Sequence, residues 1–153
     1  MNNHNSYITI KNHDHKSKKH NSFVRFTAIK TTNQSYEAGD TIKFEGVLLN
    51  EGNHFQPLLS RFVCPFNAIY YVAVTFKKFY TSPLQVNVEH ETKTLLRSVE
   101  VQASNPWNTV SNSGLVRCFQ GEEIKVTAIG SGEVYGDASK AYTTFTVMMM
   151  YQY

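Results

Sequence analysis

Residues 44–74 read FEGVLLNEGNHFQPLLSRFVCPFNAIYYVAV, and large rings recur in this stretch at uneven but definite intervals. The recurring positions are Phe44, Phe55, Phe62 and Tyr70, with Asn50 between the first two. From Tyr70 onward the apolar residues fall on every second position, which is the period of a β-strand. No cluster of charges or catalytic-looking triad accompanies the rings. The spacing is therefore better explained by packing between strands than by catalysis.

The same alternation of apolar and polar residues continues along the rest of the chain. It is present in residues 41–46, 70–79, 84–91, 98–103, 123–129 and 143–151. Gly, Asn and Pro lie between these segments and favour turns. No segment of ten or more residues shows a helical period. The pattern predicts an all-β protein with eight to ten short strands, folded as a sandwich or jelly roll.

The composition divides the chain into a polar tail, residues 1–21, and one globular domain, residues 22–153. Residues 1–22 are rich in His, Asn and Lys and have a net charge of +3, whereas the remainder is neutral with eleven basic and eleven acidic residues. A neutral domain gives no electrostatic argument for binding nucleic acid. No apolar run reaches the roughly 18 residues of a membrane-spanning helix. We therefore expect neither nucleic-acid binding nor a membrane-spanning helix.

The intervals in residues 44–74 resemble the signature of the C1q globular-head family. That signature has an aromatic, an Asn or Asp, two further aromatics, and then Gly-x-Tyr-x-Phe-x-aromatic, and every interval fits. Ala68 stands in place of the Gly, and Val72 and Val74 in place of aromatics. The segments around Ser22–Ala28, Leu115–Val126 and Thr143–Met148, which includes Phe145, resemble other strands of the family. The resemblance covers residues 22–151.

This resemblance implies a ten-stranded jelly-roll β-sandwich of the C1q and tumour necrosis factor (TNF) type that assembles as a homotrimer. One sheet of each subunit would face the three-fold axis, and the apolar run Val147–Tyr151 would supply that face. The resemblance implies a secreted, extracellular binding module and not an enzyme. The chain has no Gly-X-Y run, and therefore looks more like stalkless invertebrate members.

Two functions are consistent with this resemblance. The first is a lectin-like pattern-recognition module of innate immunity that binds carbohydrate or other ligands on microbial or cell surfaces. Three copies of one site would raise the avidity for a repetitive surface. The alternative is a structural or signalling trimer, either a matrix scaffold or a TNF-like receptor ligand, without a sugar site.

The sequence offers one aromatic candidate for a sugar platform, Trp107, the single tryptophan of the chain. Its ring would stack on a pyranose face while Asn105 or Asn108 bonds the hydroxyls. The simpler interpretation, which we prefer, is that Trp107 folds down over the end of the sandwich, because tryptophan is usually highly buried. The sequence alone leaves both interpretations open.

Calcium is the one cofactor that the resemblance raises, since some family members bind it in the loop before the last strand. Here that loop contains Glu133 and Asp137, which are hard oxygen donors. A calcium site takes about 6–8 oxygens, and two carboxylates in a loop are more often solvated. No cofactor is otherwise indicated.

Two cysteines and one glycosylation sequon complete the candidate residues. Cys64 and Cys118 are too far apart in sequence for a CxxC motif. We prefer two buried free thiols, because unpaired cysteine is among the most buried residue types, with a single disulfide as the alternative. Asn33 begins an Asn-Gln-Ser sequon in a polar loop and is the predicted glycosylation site.

Overall fold

A computed structural model describes residues 23–78, 83–91, 93–100 and 108–153. All regular secondary structure in these ranges is β-strand. The predicted tail, residues 1–21, lies outside the described residues, as do residues 101–103 of one predicted strand. The strands are β1 (Arg25–Ile29), β2 (Gln34–Tyr36), β3 (Gly46–Glu51), β4 (Phe55–Gln56), β5 (Arg61–Val63), β6 (Ala68–Lys77), β7 (Leu84–His90), β8 (Lys93–Glu100), β9 (Thr109–Cys118), β10 (Glu123–Ala128), β11 (Gly132–Val134) and β12 (Thr144–Gln152). No helix in the described ranges is long and apolar enough to cross a membrane.

Ten of these strands form two five-stranded antiparallel sheets that pack face to face. The first sheet has the order β3-β1-β12-β6-β9 and the second the order β4-β5-β10-β7-β8. The short strands β2 and β11 pair separately as a two-stranded ribbon. Several neighbours in the sheets are distant in sequence, as in β1 beside β12, and this is the connectivity of a jelly roll. The predicted ten-stranded jelly-roll β-sandwich is confirmed.

The aromatic residues of the sequence signature fill the space between the two sheets. Each has a relative exposure of 2% or less: Phe44, Phe55, Phe62, Tyr70 and Phe145. Phe26 on β1 lies among them, stacked at 4.4 Å between ring centroids on Phe55 and edge-to-face at 5.0 Å on Phe145. Such ring pairs contribute about 0.5–1.5 kcal/mol beyond the area that they bury. The irregular spacing arises because each ring comes from a different strand or connection of the sandwich.

Asn50 holds the short strand β4 in place through its side-chain amide. Asn50 Nδ2 donates to the carbonyl oxygen of Phe55 at 3.0 Å, and the Phe55 N–H donates to Asn50 Oδ1 at 3.2 Å. Phe55 faces Phe62 of β5 on the other side. The amide thus takes the place of a neighbouring strand at an edge that would otherwise lack backbone partners.

The segment 41–46 differs from its predicted strand. Ile42 and Phe44 are buried as the alternation predicts, but residues 42–45 form no strand. Side chains satisfy the backbone instead: the Phe44 N–H donates to Ser60 Oγ at 2.9 Å, and the Lys43 N–H to Gln34 Oε1 at 2.9 Å. The segment leaves β10 of the second sheet, where the Ile42 N–H donates to the Val126 carbonyl at 3.0 Å, and leads to β3 of the first sheet.

Cys64 and Cys118 form a disulfide, and the preference for free thiols is therefore wrong. The two residues are 54 positions apart in sequence, but their Cα atoms lie 6.3 Å apart. The turn after β9 brings them together, because the N–H of Gly121 donates to the carbonyl of Cys64 at 2.8 Å. This proximity depends on which strands become neighbours, and cysteine spacing does not reveal it.

Candidate functional site

Loops from several strands meet at one end of the sandwich, here called the distal end. β1 and β6 finish at this end, while β9 and β12 begin there, as the pairs Ile29 with Thr144 and Lys77 with Thr109 show. Strand β1 begins and strand β12 ends at the opposite end of the sandwich. The distal loops are therefore far from the first described residues and from the end of β12.

A buried threonine ties the distal loops together. The Lys77 N–H donates to Thr143 Oγ1 at 3.0 Å, and that hydroxyl donates to the Tyr135 carbonyl at 2.7 Å. The Lys30 N–H donates to the Thr143 carbonyl at 3.0 Å. Because Thr143 has nearly no exposure to solvent, these bonds hold the loop before β12 against the ends of β1 and β6. The distal surface is thus built on a fixed backbone.

An aromatic ring surrounded by charges is exposed on this surface. Tyr142 is 43% exposed, and its ring centroid lies 6.2 Å from that of Tyr135. The ammonium groups of Lys77 and Lys140 lie 5.5 Å and 5.9 Å from the Tyr142 ring centroid. These distances fall within the range of cation–π attraction. An exposed ring bordered by hydrogen-bonding groups is the kind of surface that a sugar ring can contact.

The two carboxylates considered for calcium lie in this region, and both are hydrogen-bonded. Ser35 Oγ donates to Glu133 Oε1 at 2.9 Å. Asp137 accepts from the hydroxyl and the N–H of Ser139 at 2.7 Å and 2.8 Å, and from the Tyr135 hydroxyl at 3.2 Å. The Ser139 bonds lower the pKa of Asp137, while partial burial followed by the bond to Asp137 raises the pKa of Tyr135.

These contacts do not assemble a calcium site by themselves. Among the described residues, the one cluster of three or more His, Cys, Asp or Glu side chains with converging ligand atoms contains neither Glu133 nor Asp137. A calcium ion would need several further oxygens from backbone carbonyls, side chains or water. Calcium binding by Glu133 and Asp137 therefore stays a prediction.

Of the three residues considered for sugar binding, Trp107 and Asn105 lie outside the described residues. Asn108 is described: it is half-buried, and its carbonyl accepts from the Lys78 N–H at 3.1 Å. This bond places Asn108 at the distal end. Tyr142 was missed in the sequence, because a single tyrosine in Ala-Tyr-Thr-Thr has no periodic or motif signal.

The sequon residue Asn33 also lies at the distal end. Its side chain is exposed, and Asn33 Oδ1 accepts from the Gly136 N–H at 3.1 Å. Glycosylation at this position stays a prediction.

A second candidate surface is the outer face of the first sheet, meaning the face that is turned away from the core. The strand register places Met148, Tyr71 and Leu115 in one row across β12, β6 and β9. Leu115 is 66% exposed, and Met150 and Tyr151 nearby are also exposed. The next row toward the distal end has the small residues Thr146, Ala73 and Ser113. On β12, β6 and β9 the apolar part of the outer face is thus the part farther from the distal loops.

The sequence profile of the C1q domain matches residues 25–150 of this chain. The structure is similar to the globular domain of zebrafish complement 1qA protein, with a TM-score of 0.67, 11% identity and coverage of 86% of this chain and 99% of that chain. It is similar to Eiger TNF from S. frugiperda, with a TM-score of 0.64, 10% identity and coverage of 86% and 95%. It is also similar to murine APRIL at pH 5.0, with a TM-score of 0.62, 15% identity and coverage of 84% and 99%. At these identities the structural likeness shows a shared fold.

Proposed function

The chain belongs to the C1q domain family, and we propose that it acts outside the cell as a homotrimeric, lectin-like module whose distal loops bind carbohydrate on microbial or cell surfaces. The disulfide supports an extracellular location, because disulfides persist in oxidising compartments. Members of this family and of the related TNF family often form trimers. The proposal has two parts, self-association through the outer face and ligand binding at the distal end.

The exposed apolar row on the outer face carries the proposal for self-association. Met148, Tyr71 and Leu115 form a continuous surface on a sheet whose other face is already buried in the core. A contiguous apolar surface of this kind marks an interaction site. In a closed three-fold assembly every copy buries the same surface, so that no copy leaves it in water.

The distal end supports ligand binding because its exposed groups suit a sugar. Tyr142 presents a ring face, and the carboxylate of Asp137 and the ammonium of Lys140 lie 3.7 Å apart beside it. Asn108, which follows Trp107 in the sequence, lies at the same end. A closed three-fold assembly would present three such surfaces, and multivalent contact strengthens binding to a repetitive ligand.

The alternative function is a trimer that acts as a matrix scaffold or as a ligand for a protein receptor. The similarity to Eiger TNF and murine APRIL favours it, because those proteins share the fold. This alternative needs the same outer face but no sugar site. Binding to glycans therefore distinguishes the two functions.

The test is a glycan array probed with the full chain, once with calcium and once with a chelator. We expect binding to a subset of glycans, which Trp107→Ala and Tyr142→Ala each reduce at least tenfold. The matched control is Tyr153→Ala, since Tyr153 is also an exposed tyrosine but follows β12 at the opposite end. Light scattering must give each variant the mass of the wild type.

The absence of binding to every glycan on the array would contradict sugar binding and favour the scaffold or receptor ligand. Retained binding by Trp107→Ala together with a melting temperature lowered by several degrees would identify Trp107 as a packing residue. Binding that a chelator abolishes, and that Asp137→Asn weakens, would support calcium at the distal loop.

A further inference from the structure

A cluster of metal-ligating side chains lies at the end of the sandwich opposite the distal loops. His90 Nε2, Glu122 Oε2 and Cys118 Sγ all lie within 4.8 Å of one another. His90 ends β7, Cys118 ends β9, and Glu122 lies in the turn just before β10. Cys64 supplies a second sulfur, which is bonded to that of Cys118. An imidazole, a carboxylate and one sulfur therefore converge, and a second sulfur is bonded to the first.

The backbone fixes the positions of these donors. Residue Ile124 of β10 pairs with His90, which aligns the ends of β7 and β10. The Phe119 N–H donates to Glu122 Oε2 at 2.7 Å, and the Cys64 N–H donates to the Glu122 carbonyl at 2.8 Å. These bonds hold the turn between β9 and β10 against the end of β5. The cluster thus lies on strand ends and on one short, hydrogen-bonded turn.

The geometry points to a zinc site that forms when the disulfide is opened: we propose that Cys64, Cys118, His90 and Glu122 bind one Zn²⁺ in the reduced protein. Thiolate, imidazole and carboxylate are the ligands of protein zinc sites, which are usually four-coordinate and tetrahedral. Cα atoms 6.3 Å apart allow both sulfurs to reach one ion, because Zn–S bonds are about 2.3 Å long.

The chemical step is a reduction followed by metal binding. With a trialkylphosphine as the reductant, the phosphine and one water open the sulfur–sulfur bond. They yield two thiols and one phosphine oxide, whose oxygen comes from the water. Zn²⁺ then replaces the two thiol protons, which leave to solvent, because a zinc-bound thiol is deprotonated.

The exposure of the four residues is consistent with this site. The cysteines are buried, whereas the side chains of His90 and Glu122 are 11% and 29% exposed. An ion can enter past these two residues.

His90 Nε2 and Glu122 Oε2 lie 2.5 Å apart, so that they already share a hydrogen bond. The competing explanation is that this bond and the disulfide are structural only. In a tetrahedral zinc site with bonds of about 2.0–2.1 Å, neighbouring ligand atoms lie roughly 3.3 Å apart. The imidazole nitrogen and the carboxylate oxygen would therefore have to move apart by a further distance of less than about 1 Å. That movement is within the reach of side-chain rotation.

The test is titration of the full chain with Co²⁺ and then Zn²⁺, in the oxidised form and after reduction with a trialkylphosphine. We expect the reduced chain to bind one equivalent more than the oxidised chain. Bound Co²⁺ should show thiolate-to-metal charge transfer and the visible bands of a tetrahedral ion, and Zn²⁺ should displace it. Metal that binds to the histidines of residues 1–21 should do so in both forms, so that the oxidised chain is the control for it.

Variants test the two ligands that are not cysteine. His90→Ala and Glu122→Gln should each weaken the additional site by more than the roughly 10–100-fold cost of losing an outer-shell partner. The control is His54→Ala, because His54 lies between β3 and β4 and is absent from the cluster. Equal metal binding by the oxidised and reduced chains would overturn the proposal, as would unchanged affinity in His90→Ala.

The zinc site can also be tested if the reduced chain unfolds without metal. If circular dichroism shows that the reduced, metal-free chain loses its strands, then one equivalent of Zn²⁺ must restore them, since binding to the folded state stabilises it. Failure of Zn²⁺ to restore the strand signal would also overturn the proposal.

Discussion

Replacing Leu115 with Asp should dissociate the proposed trimer while each subunit stays folded. Leu115 is 66% exposed on the outer face of the single subunit. Full burial of a leucine side chain contributes about 1.5–3 kcal/mol, so burying the exposed two thirds contributes about 1–2 kcal/mol per subunit and about 3–6 kcal/mol per trimer. A loss of this size lowers the association constant by roughly 10²–10⁴-fold. A desolvated carboxylate adds a further cost.

The assay is light scattering over a dilution series, with circular dichroism to confirm that the strands remain. The wild type should have about three times the 17.5 kDa mass of one chain, and Leu115→Asp the mass of one chain at the same concentrations. The matched control is Leu58→Asp, because Leu58 is 93% exposed but lies in the turn between β4 and β5, away from the outer face. A wild-type mass for Leu115→Asp, or a single-chain mass for the wild type, would refute the reasoning.

Three further predictions concern stability. Asn50→Ala removes both side-chain hydrogen bonds to β4 and should lower the free energy of unfolding by about 2 kcal/mol. Asn50→Asp retains one acceptor and should lower it by less in urea unfolding. Equal losses for the two variants would contradict the role of the amide. Glu45 pairs with buried Lys30 at 3.1 Å and is itself 38% exposed, so that Glu45→Gln should cost only about 1 kcal/mol. Partial burial acts to raise the pKa of Glu45, but a backbone N–H and Lys30 lower it overall from 4.5. The difference in unfolding free energy between Glu45→Gln and the wild type should therefore be full above pH 4.5 and disappear as the pH falls through the folded-state pKa. A difference in unfolding free energy that persists in acid would exclude this linkage. Replacing Cys64 and Cys118 with alanine removes the disulfide and releases a loop of 54 residues. The free energy of unfolding, measured by calorimetry or urea unfolding, should fall by about 4 kcal/mol. An unchanged stability would show that the loop is already constrained in the unfolded chain.

The residues that were predicted correctly are those whose sequence pattern reports a local rule. Leu84, Val86 and Val88 lie at every second position of β7 and are all buried, because successive side chains of a strand point to opposite faces. Residues 41–46 show the limit of that rule. Their burial follows the alternation, but the N–H groups of Lys43 and Phe44 donate to the side chains of Gln34 and Ser60. No local pattern encodes that proximity.

The candidate sites were less predictable than the fold. Asn108 and Asp137 were identified from their loops, but the contribution of Tyr142 depends on Lys77, Lys140 and Tyr135 surrounding its ring. The contact with Lys77 joins residues far apart in the chain. It follows from the order of the strands, which sets which loops become neighbours.

The sequence by itself determined that this chain is a β-sandwich with an aromatic core, because alternation and the intervals between Phe44, Asn50, Phe55, Phe62 and Tyr70 depend only on strand geometry and local turns. The tertiary structure alone decided which distant residues meet. It joined the two cysteines, brought a histidine and a glutamate beside them, and gathered the distal loops around one tyrosine. The physical reason is that antiparallel strands from opposite ends of the chain pair through backbone hydrogen bonds, which are the same for every residue type, so that side-chain spacing along the sequence does not specify the partner.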